Sequence, residues 1–162
     1  MRIISHRGNL NGIEPSFENK VKSIDKALEL GFGVEVDVRY HNDKMFLGHD
    51  EPQELLPERY YTDDRIYFHC KNIESLMVFQ AKHRGSIFFT HNNDEATITS
   101  RGTLWIHPLT LPNLSDIMNF NFDRAIAVLP EMVDIGDVDF LSKFGGICTD
   151  YPERYKREFG ND

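Results

Sequence analysis

Short apolar runs separated by polar loops recur along the chain and predict seven strands. The runs are IISH (3–6), GVEVDVRY (33–40), RIYFHCK (65–71), SIFFTH (86–91), TLWIH (103–107), RAIAVL (124–129) and GGICTD (145–150). Apolar residues at helical spacing predict longer helices over 18–31 and 72–85, and shorter helical segments over 53–62, 114–118 and 137–144. Strands that alternate with helices indicate βαβ units and a mostly parallel sheet.

The second predicted strand has one apolar face and one charged face. Val34, Val36 and Val38 share the first, and Glu35 and Asp37 share the second, because successive side chains of a strand point to opposite sides. An antiparallel strand with one solvated face would show the same alternation. If this face is buried instead, its carboxylates need partners, because burying them alone costs several kcal/mol each.

The third predicted strand repeats the polar face with Tyr67, His69 and Lys71, and other strands end in residues such as His6 and His107. Polar groups at the carboxyl ends of several strands are typical of the mouth of a βα barrel. An open doubly wound sheet would suit the short chain, but no Gly-rich phosphate-binding loop follows the first strand. We therefore expect one α/β domain over residues 1–162, a trimmed TIM-type βα barrel of about seven to eight mostly parallel strands with some helices shortened or missing.

Composition narrows the classes of partner and compartment. Of the 162 residues, 40% are apolar and 27% charged, and the net charge is −8 with histidine neutral. This acidic balance disfavours a broad nucleic-acid or anionic-membrane surface. No apolar run is long enough to span a bilayer and no signal peptide precedes the first strand, which predicts a cytoplasmic protein without integral membrane association. Cys70 and Cys148 lie in separate apolar runs, which predicts buried thiols and no disulfide.

Four short motifs follow one another in an informative order: SHRG (5–8), FEN (17–19), VEVDV (34–38) and GHD (48–50). Together they resemble the glycerophosphodiester phosphodiesterase family, within the wider phosphatidylinositol-specific phospholipase C-like phosphodiesterase superfamily. HCK (69–71) and GICTDYP (146–152) extend the likeness along the chain. The resemblance implies a metal-dependent phosphodiesterase on a βα barrel. By position, it implies His6 and His49 as acid and base, and Arg7 and Lys71 as the groups that hold the phosphate.

The resemblance also implies a metal site with Glu18, Glu35 and Asp37 as carboxylate ligands and with Mg²⁺ or Ca²⁺ as the expected ion. His69 stands where the family has a glutamate that completes this site. Imidazole ligates divalent metals, although Mg²⁺ and Ca²⁺ prefer oxygen, so His69 is a further candidate ligand that admits other divalent ions.

Three other polar or aromatic residues near strand ends, His91, Trp105 and Glu131, are candidates for the pocket lining or for structural roles. A barrel with missing helices would expose apolar strand backs such as Phe88 and Ile106, which makes a homodimer an expectation.

These roles predict a phosphoric diester hydrolase that cleaves a small glycerol- or sugar-linked phosphodiester by His/His acid–base catalysis with metal-assisted charge neutralisation. One alternative is a non-catalytic module that binds phosphate or a phosphodiester through a degenerate metal site. Another is a different metal hydrolase on the same barrel, such as an amidohydrolase. Arg7 and Lys71 favour phosphate over an amide, because paired cations suit an anionic substrate.

Overall fold

The computed structural model describes residues 1–107, 121–133 and 138–160, which form a mixed α/β fold. The strands in these ranges are β1 (Arg2–His6), β2 (Gly33–His41), β3 (Lys44–Leu47), β4 (Glu54–Leu55), β5 (Ile66–Cys70), β6 (Ile87–Phe89), β7 (Ala96–Ile98), β8 (Leu104–Ile106), β9 (Ala125–Val128) and β10 (Gly146–Thr149). The α-helices there are α1 (Val21–Glu29), α2 (Ile73–Lys82), α3 (Val138–Leu141) and α4 (Pro152–Glu158), and 3₁₀ turns cover Glu58–Thr62 and Pro130–Val133.

Seven of the described strands form one parallel run in the order β6-β5-β2-β1-β10-β9-β8. They are the seven strands that the sequence predicted, so the mostly parallel α/β expectation is confirmed. β3 and β4 extend the sheet antiparallel beyond β2, and β7 pairs antiparallel with β8. The sheet is curled. Its curl brings Phe89 of β6 and Trp105 of β8, at the two ends of the parallel run, so close that their ring centroids are only 4.7 Å apart.

The connections between parallel strands differ in kind. α1 links β1 to β2, and α2 links β5 to β6, as the helical spacing predicted. β3, β4 and a 3₁₀ turn connect β2 to β5, and β7 lies in the connection from β6 to β8. α-Helices are therefore absent from these last two connections, both of which lie within the described residues, and the 3₁₀ turn is the only helical structure in the segment predicted as helical over 53–62. The helix predicted over 114–118 lies outside the described residues, whereas the one predicted over 137–144 contains α3.

Buried apolar layers cover both sides of the curled sheet. Val34, Val36 and Val38 are fully buried on the outer side against α1 and α2, as their alternation predicted. A second outer layer joins β9 and β10 to α3 and α4 through residues such as Leu141 and Tyr155. A third cluster fills the inside of the curl and forms a floor beneath the polar strand ends: Ile4, Tyr67, Ile87, Phe89, Trp105, Ile126, Val128, Leu129 and Cys148.

Helical spacing in the sequence places Ile73, Leu76, Met77 and Ala81 on one side of α2, which predicts that this side faces the sheet. The structure shows that this prediction is wrong. Ile73 and Met77 are 63% and 65% exposed, and Ser75 and Phe79 are the buried residues of this helix. The side chain of Asn72 sets this rotation, because it caps the N–H of Ser75 and also bonds the backbone N–H and carbonyl of a β2 residue. The anchored first turn points Ser75 and Phe79 at the sheet.

Two expectations about exposed and buried groups have clear outcomes. Cys70 and Cys148 are free, buried thiols, as predicted. Phe88 and Ile106 are only 7% and 9% exposed, so the expected exposure of these strand backs is wrong. Phe88 packs on Phe79 of α2, with ring centroids 5.5 Å apart, which removes the stated reason for a dimer. None of the helices in the described residues is both long and apolar enough to cross a membrane.

Candidate functional site

The carboxyl ends of the parallel strands surround a cavity of about 200 Å³, which we call the histidine cavity. Its lining includes five of the seven histidines of the chain. The lining residues are His6, Arg7, Glu35, His49, His69, Lys71, His91, Asn92, Trp105, His107, Val128 and Leu129. Most of the residues singled out from the sequence are therefore brought together, whereas Glu18, Asp37 and Glu131 lie outside this lining.

His6, at the end of β1, forms a buried pair with Asp150, which follows β10. Its Nδ1 donates to Asp150 Oδ1 over 2.8 Å, and Asn9 Nδ2 donates to the same oxygen over 2.8 Å. This bond leaves Nε2 of His6 without a proton in the neutral form, 3.9 Å from Glu35 Oε2. Burial lowers the pKa of His6, but the Asp150 bond and the Glu35 charge outweigh it, so that this pKa lies above its ordinary value.

The chain reverses sharply after His6, and this turn positions Arg7. Arg7 has a φ of 55° and Gly8 a φ of 87°, which is the left-handed region that favours glycine. A Cβ at Gly8 would also lie only 3.0 Å from Ser23 Oγ of α1. The N–H of Arg7 donates to the carbonyl of Glu35, which ties the turn to β2.

Glu35 and Asp37 lie side by side on the inner face of β2 and are 2% and 0% exposed. Asp37 Oδ2 lies 2.9 Å from Arg7 Nε and accepts a bond from Asn19 Nδ2, also over 2.9 Å. Burial raises the pKa of Asp37, but His69, Arg7 and Asn19 outweigh it and hold this pKa well below its usual range. Glu35 Oε2 and Asp37 Oδ1 are buried without a hydrogen-bond partner in the described part of the chain.

His69 of β5 faces both carboxylates. Its Nε2 lies 3.0 Å from the carbonyl of His91, and since a carbonyl only accepts, Nε2 carries the hydrogen. Its Nδ1 lies 3.3 Å from both Glu35 Oε1 and Asp37 Oδ1, and its ring stacks on Phe89 with centroids 4.8 Å apart. Burial lowers the pKa of His69, but the two carboxylates outweigh it and raise this pKa to about 9.

Glu35, Asp37 and His69 offer ligand atoms that all lie within 4.8 Å of one another. The two unpartnered oxygens need a cation, and an imidazole whose other ring N–H is held by a carbonyl is the usual arrangement of a metal-binding histidine. The donor set therefore fits a divalent ion. It equally fits protonated His69, whose charge would lie between Glu35 Oε1 and Asp37 Oδ1.

The structure does not bring Glu18 to this group. Glu18 Oε2 lies 3.1 Å from Arg7 Nη1, and Glu18 Oε1 accepts a bond from Asn9 Nδ2 over 2.9 Å. Arg7 thus lies between Glu18 and Asp37. Its Nε is an ion-pair neighbour of Asp37 without a hydrogen bond, and its Nη2 has no partner among the described residues. Glu18 here orients the guanidinium and the Asn9 amide, both of which contact the site.

His49 and Lys71 lie on the wall of the histidine cavity. His49 Nδ1 lies 2.8 Å from Asp50 Oδ1, and the His49 side chain is 37% exposed. Arg39 Nε donates to the carbonyl of His49 over 2.8 Å, so Arg39 holds the loop and pairs with no carboxylate in the described residues. In the same part of the chain, Lys71 forms no ion pair, which leaves its ammonium group for a ligand.

The three candidates for the lining differ in position. Trp105 is 3% exposed and belongs to the apolar floor. His91 lies at the wall, where its carbonyl holds His69. Glu131 Oε1 accepts bonds of 2.8 Å from Thr149 Oγ1 and from the N–H of Asp150, so Glu131 supports the partner of His6 from behind.

Sequence reasoning gave no role to Asn9 or Asn19, and it recorded Asp150 only as a strand end. Asn19 bonds both the side chain and the N–H of Asp37. Its φ of 55° is a conformation that asparagine tolerates better than most residues. An asparagine beside a motif residue, as in FEN, is the signal that could have pointed to it.

No protein-family model matches this chain. A search of curated proteins finds no match either.

Proposed function

We propose that this protein is a phosphoric diester hydrolase of the glycerophosphodiester phosphodiesterase type. One observation carries the proposal: residues that the motif resemblance implied separately share the lining of one cavity. They are His6, Arg7, Glu35, His49, His69 and Lys71. We interpret the curled parallel sheet as a trimmed TIM-type βα barrel, in which the carboxyl ends of the strands carry the active site.

Phosphate recognition is assigned to Lys71 and Arg7. Lys71 presents an ammonium group without an ion pair in the described residues, and Arg7 retains Nη2 as an unused donor. A phosphodiester carries one negative charge, which these two groups can bind as a point charge and as a hydrogen-bond donor. A neutral amide has no negative charge for these two cations to bind. The pair therefore favours a phosphodiester over an amidohydrolase substrate.

Glu35, Asp37 and His69 would hold the divalent ion. When bound, such an ion would neutralise charge on the phosphoryl oxygens and help to activate a hydroxyl nucleophile. Mg²⁺ and Ca²⁺ are expected from the family resemblance, and the imidazole of His69 adds Mn²⁺ and Zn²⁺ as candidates. The chain supplies two carboxylates and one nitrogen, and Arg7 and Asn19 fix the position of Asp37 behind them.

Proton transfer is assigned to His6 and His49. Asp150 holds Nδ1 of His6 and Asp50 holds Nδ1 of His49, so each ring keeps Nε2 for the reaction. One ring takes the proton of the attacking hydroxyl, and the other gives a proton to the leaving oxygen. Asn9 and Glu131 keep Asp150 in place and thereby orient His6.

A panel of glycerol- and sugar-linked phosphodiesters, assayed with Mg²⁺, Ca²⁺, Mn²⁺ or Zn²⁺, tests this proposal. We expect His6→Ala and His49→Ala to lower kcat by about 100-fold or more, the usual effect of losing a general acid or base. Glu35→Gln should raise the metal concentration needed for half-maximal rate. His41→Ala, at the exposed end of β2, is the matched control and should leave turnover unchanged. Turnover that survives all three cavity substitutions would reject the site.

One observation favours a second candidate, a phosphate-binding module without catalysis. Protonated His69 and Arg7 together can neutralise Glu35 and Asp37, since His69 Nδ1 lies 3.3 Å from an oxygen of each and Arg7 Nε lies 2.9 Å from Asp37 Oδ2. The site would then bind phosphate through Lys71 and Arg7 without a metal. Phosphate binding that persists in chelator, is weakened by Lys71→Gln, and accompanies no turnover with any metal would support this module over the hydrolase.

A further inference from the structure

A second cavity lies at the opposite end of the sheet, where the parallel strands begin. Its volume is about 660 Å³, larger than that of the histidine cavity. Four arginines line it, so we call it the arginine cavity: Arg2 begins β1, Arg65 precedes β5, Arg101 precedes β8 and Arg124 precedes β9. Asp64 is the acidic residue among its lining residues. The cavity is therefore cationic in a chain whose net charge is −8.

One of the four arginines is already neutralised. Arg65 binds both oxygens of Asp63, with Nε 3.0 Å from Oδ1 and Nη2 2.7 Å from Oδ2, and its Nη1 donates to the carbonyl of Leu28. All of its nitrogens are thus used, and we assign it no role in binding.

The other three arginines form no ion pair within the described ranges. Arg2 donates to the carbonyl of Gly145 and to Tyr67 Oη, the latter over 2.9 Å. Arg101 donates to the carbonyl of Gly85, and Arg124 Nη2 lies 3.5 Å from the carbonyl of Arg101. A guanidinium has five N–H donors, so each of these side chains keeps unused donors and a full positive charge at the cavity.

The floor of the arginine cavity adds two hydroxyl groups. Tyr67 is 2% exposed, and its oxygen accepts the Arg2 bond, so that its own hydrogen has no acceptor in the described part of the chain. The Thr103 side chain is 8% exposed, and its hydroxyl likewise has no hydrogen-bond partner there. The Tyr67 oxygen is satisfied by Arg2, and its hydrogen is free to be donated to a ligand oxygen.

We propose that the arginine cavity binds a small organic phosphate. Arginine recognises phosphate through parallel N–H donors, and three such side chains together with two hydroxyls match the many oxygens of this group. The volume lies within the usual range of about 300–1,000 Å³ for small-molecule sites. Ile4 and Ile87 supply apolar wall for the organic part of the ligand. This proposal does not depend on the function assigned to the histidine cavity.

A single local cluster of arginines suits a small molecule better than a nucleic acid. A phosphate backbone is bound along an extended basic surface, and an overall charge of −8 repels such a polyanion. The positive groups here converge on one cavity at the strand starts. A small phosphate ester can enter it without contacting the acidic remainder of the surface.

NMR titration of the chelator-treated chain with AMP and with inorganic pyrophosphate tests the proposal. The amides of Gly31 and Gly33 line the arginine cavity, and Gly48 lies beside His49, so these glycines report on opposite ends of the sheet. We expect saturable amide chemical-shift changes at Gly31 and Gly33. These changes should persist in Lys71→Gln, a variant that lacks one of the phosphate-binding groups proposed for the histidine cavity. Chelation prevents a metal from drawing the phosphate to that cavity.

Variants at two exposed arginines of the cavity test whether these side chains bind the phosphate that the amide shifts report. Arg101→Gln and Arg124→Gln should each weaken binding by about tenfold or more, the effect expected for one charge-assisted hydrogen bond. Arg84→Gln is the matched control, because Arg84 is exposed, lies just after α2 and bonds the carbonyl of Gln80 in that helix. Shifts confined to Gly48, affinities unchanged by both cavity variants, or tighter binding of a single-stranded oligonucleotide than of AMP would each overturn the proposal.

Discussion

His69 decides how two buried carboxylates are neutralised. Glu35 Oε2 and Asp37 Oδ1 lack hydrogen-bond partners among the described residues, and His69 is the cationic or metal-binding side chain that lies against both groups. A metal ion and a proton on Nδ1 compete for the same place, because both occupy the space between the imidazole and the oxygens. Two measurements separate these states.

The first measurement is metal preference. The imidazole should favour Zn²⁺ or Mn²⁺ over Mg²⁺ and Ca²⁺, which prefer oxygen ligands. His69→Glu should therefore raise affinity for Mg²⁺ or Ca²⁺ relative to Zn²⁺ by about tenfold or more, as measured by calorimetry on chelator-treated protein. His41→Glu adds the same charge at an exposed histidine and should leave the preference unchanged. An identical preference in the His69 variant would remove this residue from the metal site.

The second measurement is the pH dependence of stability in chelator. The pKa of His69 is raised to about 9 in the folded state, compared with about 6.5 unfolded. Its contribution to the free energy of unfolding should be fully present below about pH 6.5 and lost as pH rises through about 9, on the order of 3 kcal/mol in all. Urea unfolding should show this decline in the unaltered chain and a smaller one in His69→Gln. If the free energy of unfolding declines equally with pH in the unaltered chain and in His69→Gln, the pH effect belongs to groups other than His69.

At the scale of elements, short apolar runs predicted the seven parallel strands because most of their side chains are buried in the curled sheet, as in β6, β9 and β10. The same reasoning failed for α2, whose apolar residues occur on more than one side. The buried side of that helix is fixed by Asn72, which lies in the turn before it and bonds the backbone of Tyr40. Periodicity cannot show such a contact, since it joins residues far apart in sequence.

Asn72 should accordingly be a major anchor of α2. Asn72→Ala removes the cap on Ser75 and both bonds to the backbone of Tyr40, so we expect the free energy of unfolding to fall by about 2–3 kcal/mol. Met77→Gln, at a position 65% exposed on the same helix, should change it by less than about 0.5 kcal/mol. Equilibrium urea unfolding measures both. A larger loss from the Met77 change would restore the helix face that the periodicity predicted.

At the scale of the whole molecule, strand order brings distant motifs together. β1 lies between β2 and β10, so His6 at the end of β1 becomes a neighbour of Glu35 near the start of β2 and of Asp150 just after β10. The sequence placed His6 and Glu35 in one site through the motif resemblance, whereas the contact with Asp150 follows from the strand order. The linking of Arg7 to both Glu18 and Asp37 was not predictable. It depends on the left-handed turn at Arg7 and on the loop that brings Glu18 back to Arg7. Neither segment shows a periodic pattern of hydrophobic residues from which it could have been predicted.

Closure of the curl depends on contacts between strands that do not pair. Trp105 of β8 packs on Phe89 of β6 at 4.7 Å and on Tyr67 of β5 at 5.6 Å, across the space between the two ends of the parallel run. Trp105→Ala should therefore lower the free energy of unfolding by about 3–5 kcal/mol, the cost of emptying such a buried volume. Ile98→Ala, at a position 67% exposed on β7, is the control for β-structure and should cost far less.

Circular dichroism should follow both unfolding transitions, because Trp105 is the single tryptophan and its fluorescence is lost in the variant. Trp105→Phe retains an aromatic ring in the floor and should recover part of the lost stability. Since the same floor lies beneath His69 and Glu35, Trp105→Ala should also weaken metal binding at conditions where the chain remains folded. A Trp105→Ala chain with unchanged stability would mean that the strand pairings hold the curl without the aromatic floor.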